Sequence, residues 1–197
     1  MTTGAKTGGG SHLSARERLL DAASELFYRE GVHTVGIDRV IAQAGVAKAS
    51  LYNTFGSKDE LIRAYLVEWH ERWKRRIVQR IAKDDGNPRE QLLGVFDALH
   101  DSFTEPEFRG CAFVNACAES APGAAAEEAA DVGRAWVRSI FTELGKAAGA
   151  SAPEHLAAQL VLLYDGATVA ARMDRDPAAA AVARGIAAAL VDAAIAA

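Results

Sequence analysis

The sequence predicts an all-α fold, with a three-helix N-terminal domain followed by a larger helical C-terminal domain. Apolar residues recur at helical spacing almost without interruption from Ser14 onward. No segment alternates apolar and polar residues over the length of a strand, and no Asn-Gly or Asp-Gly pair separates two such segments. Half of the 197 residues are hydrophobic and 24% are charged, which is enough apolar material for one sizeable core or two small ones.

Capping signals and breakers set the limits of the predicted helices. Ser14 and Glu17 form the pattern of a capping box, and Gly31 suits the turn that ends a helix. Asn87 and Pro88 are residues typical of a helix start. The predicted helices cover Ser14–Glu30, Ile37–Ala44, Ala47–Thr54, a long stretch from Ser57 to about Lys83, a helix from Asn87 through Phe103, and four more at about 110–120, 124–148, 153–173 and 177–196.

Composition limits the class of protein. The chain has 22 Lys and Arg against 26 Asp and Glu, with a mean hydropathy of −0.01. Residues 1–80 carry four more basic than acidic residues, whereas residues 81–197 carry eight more acidic than basic ones. This balance argues against a basic protein that coats nucleic acid, and no run of 18 apolar residues predicts a membrane span. Two cysteines are too few for a secreted disulfide framework, so a reducing cytoplasm is expected.

Three parts are predicted along the chain. Residues 1–13 are rich in Gly and Thr without the apolar stretch of a signal peptide, and they are expected to form a flexible arm. Residues 14–60 form the first domain and residues 61–197 the second. The basic first part and the acidic second part suggest two separate tasks.

The segment Gly36–Phe55 has the pattern of a helix-turn-helix, in which two short helices cross at a steep angle. Gly45 permits the turn, and the small Ala42 and Ala44 allow the close crossing. The predicted core of the motif is Ile37, Ile41, Gly45, Val46, Leu51 and Phe55. The residues left outward are Lys48, Ser50, Tyr52, Asn53 and Thr54. Hydrogen-bonding side chains of this kind suit phosphates and base edges.

The stretch Ala44–Leu61 resembles the DNA-binding domain of the tetracycline-repressor (TetR) family of bacterial transcription regulators. Its Leu-Tyr-x-x-Phe and Ser-Lys-x-Glu-Leu elements are in register, and the resemblance covers about residues 14–62. It implies a homodimer whose recognition helices, about Ala47–Thr54, enter successive major grooves of a roughly palindromic double-stranded DNA operator. It also implies a repressor that a small-molecule effector releases from DNA.

The same resemblance assigns roles to individual residues. Lys48, Ser50 and Tyr52 would contact phosphates or bases, Lys58 would hold a phosphate, and Asn53 and Thr54 are the variable positions. Two residues depart from the family pattern. Ala47 stands where a capping Ser is common, and Gly36 where Ser or Thr is common. Ala caps a helix poorly, at a cost of about 1 kcal/mol relative to Ser, whereas Gly caps tolerably.

The C-terminal part is predicted to bind the effector and the second subunit. The segment Arg109–Glu119 resembles a Gly-Cys-x-x-x-Asn-Ala-x-x-Glu element of one subset of the family's regulatory domains. A mostly apolar pocket is expected, with His100 and Asn115 as its polar groups. Its aromatic lining is predicted to be Trp69, Trp73, Phe96, Phe103, Phe108, Phe113, Trp136 and Tyr164.

The last two helices are the predicted dimer contact. Alanine makes up 12 of the final 20 residues, and small residues let helices approach closely. Two apolar sides of the last helix suggest two neighbours, as in a four-helix bundle formed by helices 153–173 and 177–196 of both subunits. The candidate interface residues are Val182, Ile186, Leu190 and Ile195.

The sequence favours other functions less. An enzyme is disfavoured, because the histidines lack metal-ligand spacing, Gly8–Gly10 lies in a tail, and Cys111 and Cys117 have no evident basic partner. No metal and no cofactor are therefore expected. A redox-sensing regulator remains an alternative, although two cysteines six apart on one helix point about 120° away from each other. A regulator without an effector is a further alternative.

Overall fold

The computed structural model describes residues 13–84 and 86–196. Almost all of the predicted N-terminal arm, residues 1–12, lies outside the described residues. Within the described ranges the chain is helical and has no strand, as the sequence predicts. The helices are α1 (Ala15–Glu30), α2 (Ile37–Ala44), α3 (Lys48–Phe55), α4 (Lys58–Ile81), α5 (Pro88–Phe103), α6 (Ala112–Glu119), α7 (Ala125–Ala147), α8 (Pro153–Asp174) and α9 (Ala178–Ala196).

The helix limits follow from local capping chemistry. The Ser14 side chain accepts a hydrogen bond from the Glu17 N–H, and the Glu17 carboxylate accepts one from the Ser14 N–H, which confirms the capping box. The Asn87 side chain caps α5 by accepting from the N–H groups of Arg89 and Glu90. At Gly36 and Ala47, by contrast, no side chain caps the helix that follows.

The first three helices pack around one apolar cluster. Leu19 and Phe27 of α1, Val40 of α2 and Leu51 of α3 are buried together with Tyr65 of α4. Gly45 adopts the left-handed conformation, with φ 62° and ψ 42°, at the end of α2. This conformation favours glycine and turns the chain sharply into α3, so the predicted helix-turn-helix forms.

Helix α4 joins the two parts of the molecule. Its first half buries Leu61 and Tyr65 in the cluster of the first three helices. Its second half buries Trp73 and Ile77 in a second cluster formed with α5, α7, α8 and α9, and Trp69 packs against both clusters. The predicted domain boundary between residues 60 and 61 therefore lies inside one continuous helix.

Helix α9 is apolar enough, by length and composition, to cross a membrane, with a mean hydropathy of 1.7. Two charged residues, Arg184 and Asp192, interrupt this helix, so it contains no continuous run of 18 apolar residues. Both charged residues form ion pairs with α5 and its start: Arg184 Nε lies 2.9 Å from Asp97 Oδ1, and Arg89 Nε lies 2.6 Å from Asp192 Oδ1. Within one chain, only 22% of this apolar stretch is buried.

Candidate nucleic-acid interface and ligand cavity

Helix α3 places one apolar side chain in the core and its polar side chains outside. Leu51 is fully buried, whereas Tyr52 keeps 46% of its surface exposed. Lys48, Asn53 and Thr54 are also exposed, and Ser50 is half-buried. The predicted DNA-contacting residues of α3 therefore lie on or beside a single solvent-facing surface.

The predicted core of the motif lies beneath that surface. Ile37, Ile41, Val46 and Phe55 are partly buried against the first cluster, and Gly45 itself is exposed. Arg18 of α1 donates a hydrogen bond from Nη1 to the Gly45 carbonyl, at 3.2 Å. The turn is thus fixed to α1 from outside as well as by its own left-handed glycine.

Two of the outward side chains already have partners within the chain. Lys48 Nζ lies 3.0 Å from Asp38 Oδ1 of α2, and this hydrogen bond and charge raise the pKa of Lys48. Both groups are solvent-exposed, so the pair contributes little to stability and Lys48 can leave it for a phosphate. The Thr54 hydroxyl donates to the Ser50 carbonyl at 2.6 Å.

Lys58 is the first residue of α4 and is half-buried. The Ser57 side chain caps this helix by accepting from the Glu60 N–H at 3.1 Å. Helix N-termini favour anions because their first N–H groups lack partners within the helix. A lysine at this position is therefore suited to a DNA phosphate.

Two adjoining cavities of about 240 and 210 Å³ lie between α4, α5, α6, α7 and α8. Both are bordered by Trp69, Trp73, Cys111, Val114, Tyr164 and Asp165. The first cavity extends to Phe103, Phe108 and Asn115, and the second to Phe113. Taken together, their volume is within the usual range for small-molecule sites.

Three of the residues expected in the pocket line neither cavity. Phe96 is fully buried in the second cluster, where its ring centroid lies 5.9 Å from that of Phe141. His100 is exposed on the outer side of α5. Trp136 packs against His70, with a centroid distance of 5.7 Å, behind the cavity wall.

Polar residues that the sequence reasoning missed also border the cavities: His70, Asp165, Thr168 and Arg172. Burial lowers the pKa of His70, so its ring is neutral near pH 7. The sequence does contain a pattern that places His70 inside the protein. One buried face of α4 carries, at helical spacing, Leu66, His70, Trp73 and Ile77. Asp165, Thr168 and Arg172 belong to a helix whose sequence shows no comparable sign of a site.

The segment around α6 connects the cavity to α1. The Arg109 N–H donates to the Tyr28 hydroxyl oxygen at 2.9 Å, and that hydroxyl donates to the Gly110 carbonyl at 3.1 Å. The Asn115 Nδ2 group donates to the Arg109 carbonyl at 3.0 Å. Because Gly110 and Asn115 line the first cavity, one short hydrogen-bonded path links it to the first helix of the DNA-binding part.

A second contact lies at the other end of α6. The Glu119 carboxylate accepts a hydrogen bond from the His33 N–H at 2.9 Å. It lies over Gly31, where an added Cβ would come within 2.5 Å of Glu119 Oε1. Gly31 has φ 99°, a conformation that side chains rarely adopt, so this close approach depends on glycine.

Both cysteines are free thiols, on or just before α6. Burial raises the pKa of Cys111 and also that of Cys117. Because the thiolate is the reactive form, these thiols are less reactive than an unperturbed cysteine. Among residues 13–84 and 86–196, no group of three His, Cys, Asp or Glu side chains is arranged to hold a metal.

Helices α8 and α9 expose apolar side chains on one side of the molecule. Leu162 is 74% exposed and Val182 is 63% exposed, with Ile186 beside them along a groove between the two helices. Leu190 is half-buried against the second cluster, and Ile195 lies well round the helix from Val182. Of the four candidate interface residues, Val182 and Ile186 thus face outward and Leu190 faces inward. Ile195 lies on a different side of α9.

Comparison with known families decides the wider assignment. The model of "Bacterial regulatory proteins, tetR family" matches residues 19–65, which include the helix-turn-helix. The model of "Tetracyclin repressor-like, C-terminal domain" matches residues 88–187. The chain belongs to the TetR family. It is a helix-turn-helix transcriptional regulator of that family, as the sequence resemblance indicates.

Solved structures of TetR-family regulators agree over nearly the whole chain. One from Streptomyces coelicolor is 33% identical with a TM-score of 0.84, and covers 92% of this chain and 96% of its own. One from Streptomyces avermitilis is 36% identical with a TM-score of 0.76, covering 92% of this chain and 98% of its own. The TetR fold therefore extends through both the N-terminal and C-terminal helices.

Two curated relatives each match less than half of this chain. The transcriptional activator FasR of Mycolicibacterium smegmatis is 36% identical over 95 residues, which is 48% of this chain and 42% of FasR. A helix-turn-helix regulator of Mycobacterium tuberculosis is 37% identical over 79 residues, 40% of this chain and 39% of its own length. The chain thus spans about two fifths of the length of these relatives.

Proposed function

We propose that this TetR-family chain is a homodimeric repressor that binds a palindromic DNA operator in the cytoplasm and is released by a small-molecule effector. The observation that carries the proposal is α3, which follows a left-handed turn at Gly45 and keeps Leu51 in the core while its polar side chains face solvent. Residues 14–60 serve as the DNA-binding domain, and residues 61–197 bind the effector and the second subunit.

In the DNA complex, α3 lies in the major groove. Asn53 and Thr54 read base edges, because they are exposed near the end of α3 and carry short hydrogen-bonding groups. Lys48, Ser50 and Tyr52 contact phosphates or bases, and Lys58 at the start of α4 binds a phosphate. The Lys48–Asp38 ion pair opens when DNA binds.

The dimer forms through α8 and α9. Their exposed apolar side chains, including Leu162, Val182 and Ile186, form a surface that a second copy covers. An added Cβ at Gly166 or Gly185 would meet nothing within 4 Å, so these positions leave room for close approach of the partner's helices. A two-fold contact of this kind matches the symmetry of a palindromic operator.

The effector occupies the two adjoining cavities. Their position between α4 and α8, next to the Tyr28–Arg109 hydrogen bonds, gives a ligand a physical connection to α1. Repression follows as the simplest consequence of a dimer that blocks access of polymerase to DNA. A relative named an activator, FasR, makes the sign of regulation a matter for direct measurement.

Selection of bound fragments from a random DNA pool, at about 0.15 M salt, tests the proposal. We expect a two-fold symmetric motif whose half-sites lie one helical turn apart, or a multiple of it. Transcription in vitro from a promoter carrying that motif should fall when the protein is added. A folded protein that enriches no motif would contradict operator recognition, and transcription that rises would contradict repression.

A further inference from the structure

The ligand cavities carry more positive than negative charge. Arg134 of α7 and Asp165 of α8 form an ion pair, with 2.8 Å between Nη2 and Oδ2, so their charges offset each other. Arg172, two turns beyond Asp165 on α8, also lines the first cavity. Among the ion pairs formed within residues 13–84 and 86–196, none includes Arg172. The cavity therefore has one positive charge without a counter-charge.

The stem of Arg172 lies against the loop that precedes α6. An added Cβ at Gly110 would lie 3.5 Å from Arg172 Cγ and 3.7 Å from its Cδ, which are ordinary contact distances. The stem is thus packed along the cavity wall at Gly110. Arg172 lines the first cavity and is also solvent-exposed, so a ligand that enters the cavity from solvent can reach it.

A neutral hydrogen-bond donor lies two turns away on the same face of α8. Tyr164, Thr168 and Arg172 recur at a spacing of four residues and all line the first cavity. Trp73 Nε1 donates to the Tyr164 hydroxyl oxygen at 2.6 Å, which leaves the hydroxyl proton free for another acceptor. Burial raises the pKa of Tyr164, so the hydroxyl stays protonated.

The remaining surroundings are apolar or have partners. Trp69, Phe103 and Phe108 provide flat aromatic surface for an apolar ligand. The Thr168 hydroxyl donates to the Tyr164 carbonyl at 2.9 Å, and the Asn115 amide donates to the Arg109 carbonyl. Asp165 is the one carboxylate among the lining residues of both cavities, and it is paired.

We infer that the effector of this regulator is an apolar carboxylic acid, whose carboxylate pairs with Arg172 while its body fills the aromatic cavity. Arginine binds carboxylates through two parallel N–H groups, which favours this charge and shape over a neutral group. A hydroxyl or carbonyl farther along the ligand would accept from Tyr164, which lies about two helical turns from Arg172 on α8. A cationic ligand would find no unpaired carboxylate among the lining residues.

This inference rests on the proposed function, in which the cavities hold the effector. Its test uses three probes with the same naphthalene body: naphthalene-2-carboxylate, naphthalene-2-carboxamide and 2-(aminomethyl)naphthalene. Isothermal titration calorimetry of the full chain at about pH 7 compares an anion, a neutral amide and a cation. We expect the carboxylate to bind at least about tenfold more tightly than the amide, and the cation to bind more weakly than both.

Two arginine variants test whether Arg172 is the residue that binds the carboxylate. In Arg172→Gln, the carboxylate should lose its preference over the amide, while the amide keeps its affinity within about twofold. Arg138→Gln, on the exposed side of α7, is the matched control and should keep the preference. Retention of the amide's affinity in Arg172→Gln shows that the cavity is intact.

The inference fails if the three probes bind equally, if none binds below about 1 mM, or if Arg172→Gln keeps the preference for the carboxylate. Release of the selected operator by the carboxylate is measured separately, by fluorescence anisotropy of labelled DNA. If the acid binds through Arg172 but leaves the DNA complex intact, the binding site stands and its role as an effector site fails.

Discussion

At the scale of single residues, the side chains proposed to read DNA differ in what they contact within one chain. Lys48 is paired with Asp38, and Thr54 is hydrogen-bonded to the Ser50 carbonyl. Tyr52 and Asn53 are exposed beside them. In the proposed complex, Tyr52 and Asn53 would meet DNA without breaking an internal contact, whereas Lys48 would exchange Asp38 for a DNA group.

Replacement of Lys58 by Ala should reduce the salt dependence of operator binding. The loss of one phosphate contact lowers the slope of log K against log salt by about 1 and weakens binding to all sequences alike. Fluorescence anisotropy with the selected operator, at a series of salt concentrations, measures the slope. Lys146→Ala, at an exposed lysine near the end of α7, should leave it unchanged. An unchanged slope for Lys58→Ala would remove its phosphate-binding role.

Replacement of Asn53 by Ala should change which sequence is preferred. A side chain that reads a base edge contributes about 1–3 kcal/mol of discrimination at one position of each half-site. Repeating the selection with Asn53→Ala is expected to relax the motif at a symmetric pair of positions and leave affinity for random DNA unchanged. If the same motif is recovered at the same strength, Asn53 does not read a base.

Residue-scale prediction from sequence succeeded where the signal was local. Tyr52 and Asn53 are outward because Leu51 must be inward, which helical spacing alone determines. His100 was expected to be a polar group of the cavity, yet it lies on the exposed side of α5. The cavity histidine is His70. The choice between His100 and His70 depends on which helix faces border the cavity. Those faces are set by the packing of the helices, which local sequence does not determine.

At the scale of the helices, the limits were predictable because each is set by a few neighbouring residues. Ser14, Gly45 and Asn87 act on N–H and carbonyl groups within a few positions of themselves. The contacts between helices were not predictable in the same way. Glu119 follows its hydrogen-bond partner His33 by 86 positions, and only the packing of α6 on the loop after α1 brings them together.

Replacement of Gly31 by Ala should lower the free energy of unfolding by more than backbone strain alone would. The unfavourable φ contributes about 1–3 kcal/mol, and the collision with the Glu119 carboxylate adds to it. Gly149→Ala is the control, because Gly149 also has a positive φ but an added Cβ would meet nothing within 4 Å. Urea unfolding gives the free energy of unfolding of each variant. Equal losses in the two variants would show that Glu119 has no part in the effect.

At the scale of the whole molecule, the acidic C-terminal half leaves one apolar side uncovered. The sequence indicated two apolar sides of the last helix but could not say which one met a partner. In the structure, Ala187 and Val191 face the second cluster, whereas Val182 and Ile186 face outward. Leu190 belongs to the inward side, so packing within one chain separates residues that the sequence grouped together.

Replacement of Val182 by Asp should weaken the dimer. A charge placed in an apolar contact loses hydration without gaining a partner, so the dimer dissociation constant should rise by at least about tenfold. Val132→Asp is a matched control, because Val132 on α7 has the same 63% exposure and does not line the groove between α8 and α9. Sedimentation equilibrium measures both variants. If both behave like the unaltered chain, the dimer forms elsewhere.

The hydrogen bond from His33 to Glu119 gives the molecule an internal reporter. The His33 amide proton belongs to the part that holds the DNA-binding helices, whereas its acceptor lies at the end of the helix that carries Asn115. Its exchange with deuterium therefore slows only while that helix stays in place. NMR can follow the exchange rate of this one amide proton with and without an added compound. A change in that rate would show that α6, which forms part of the cavity wall, has moved relative to the DNA-binding domain.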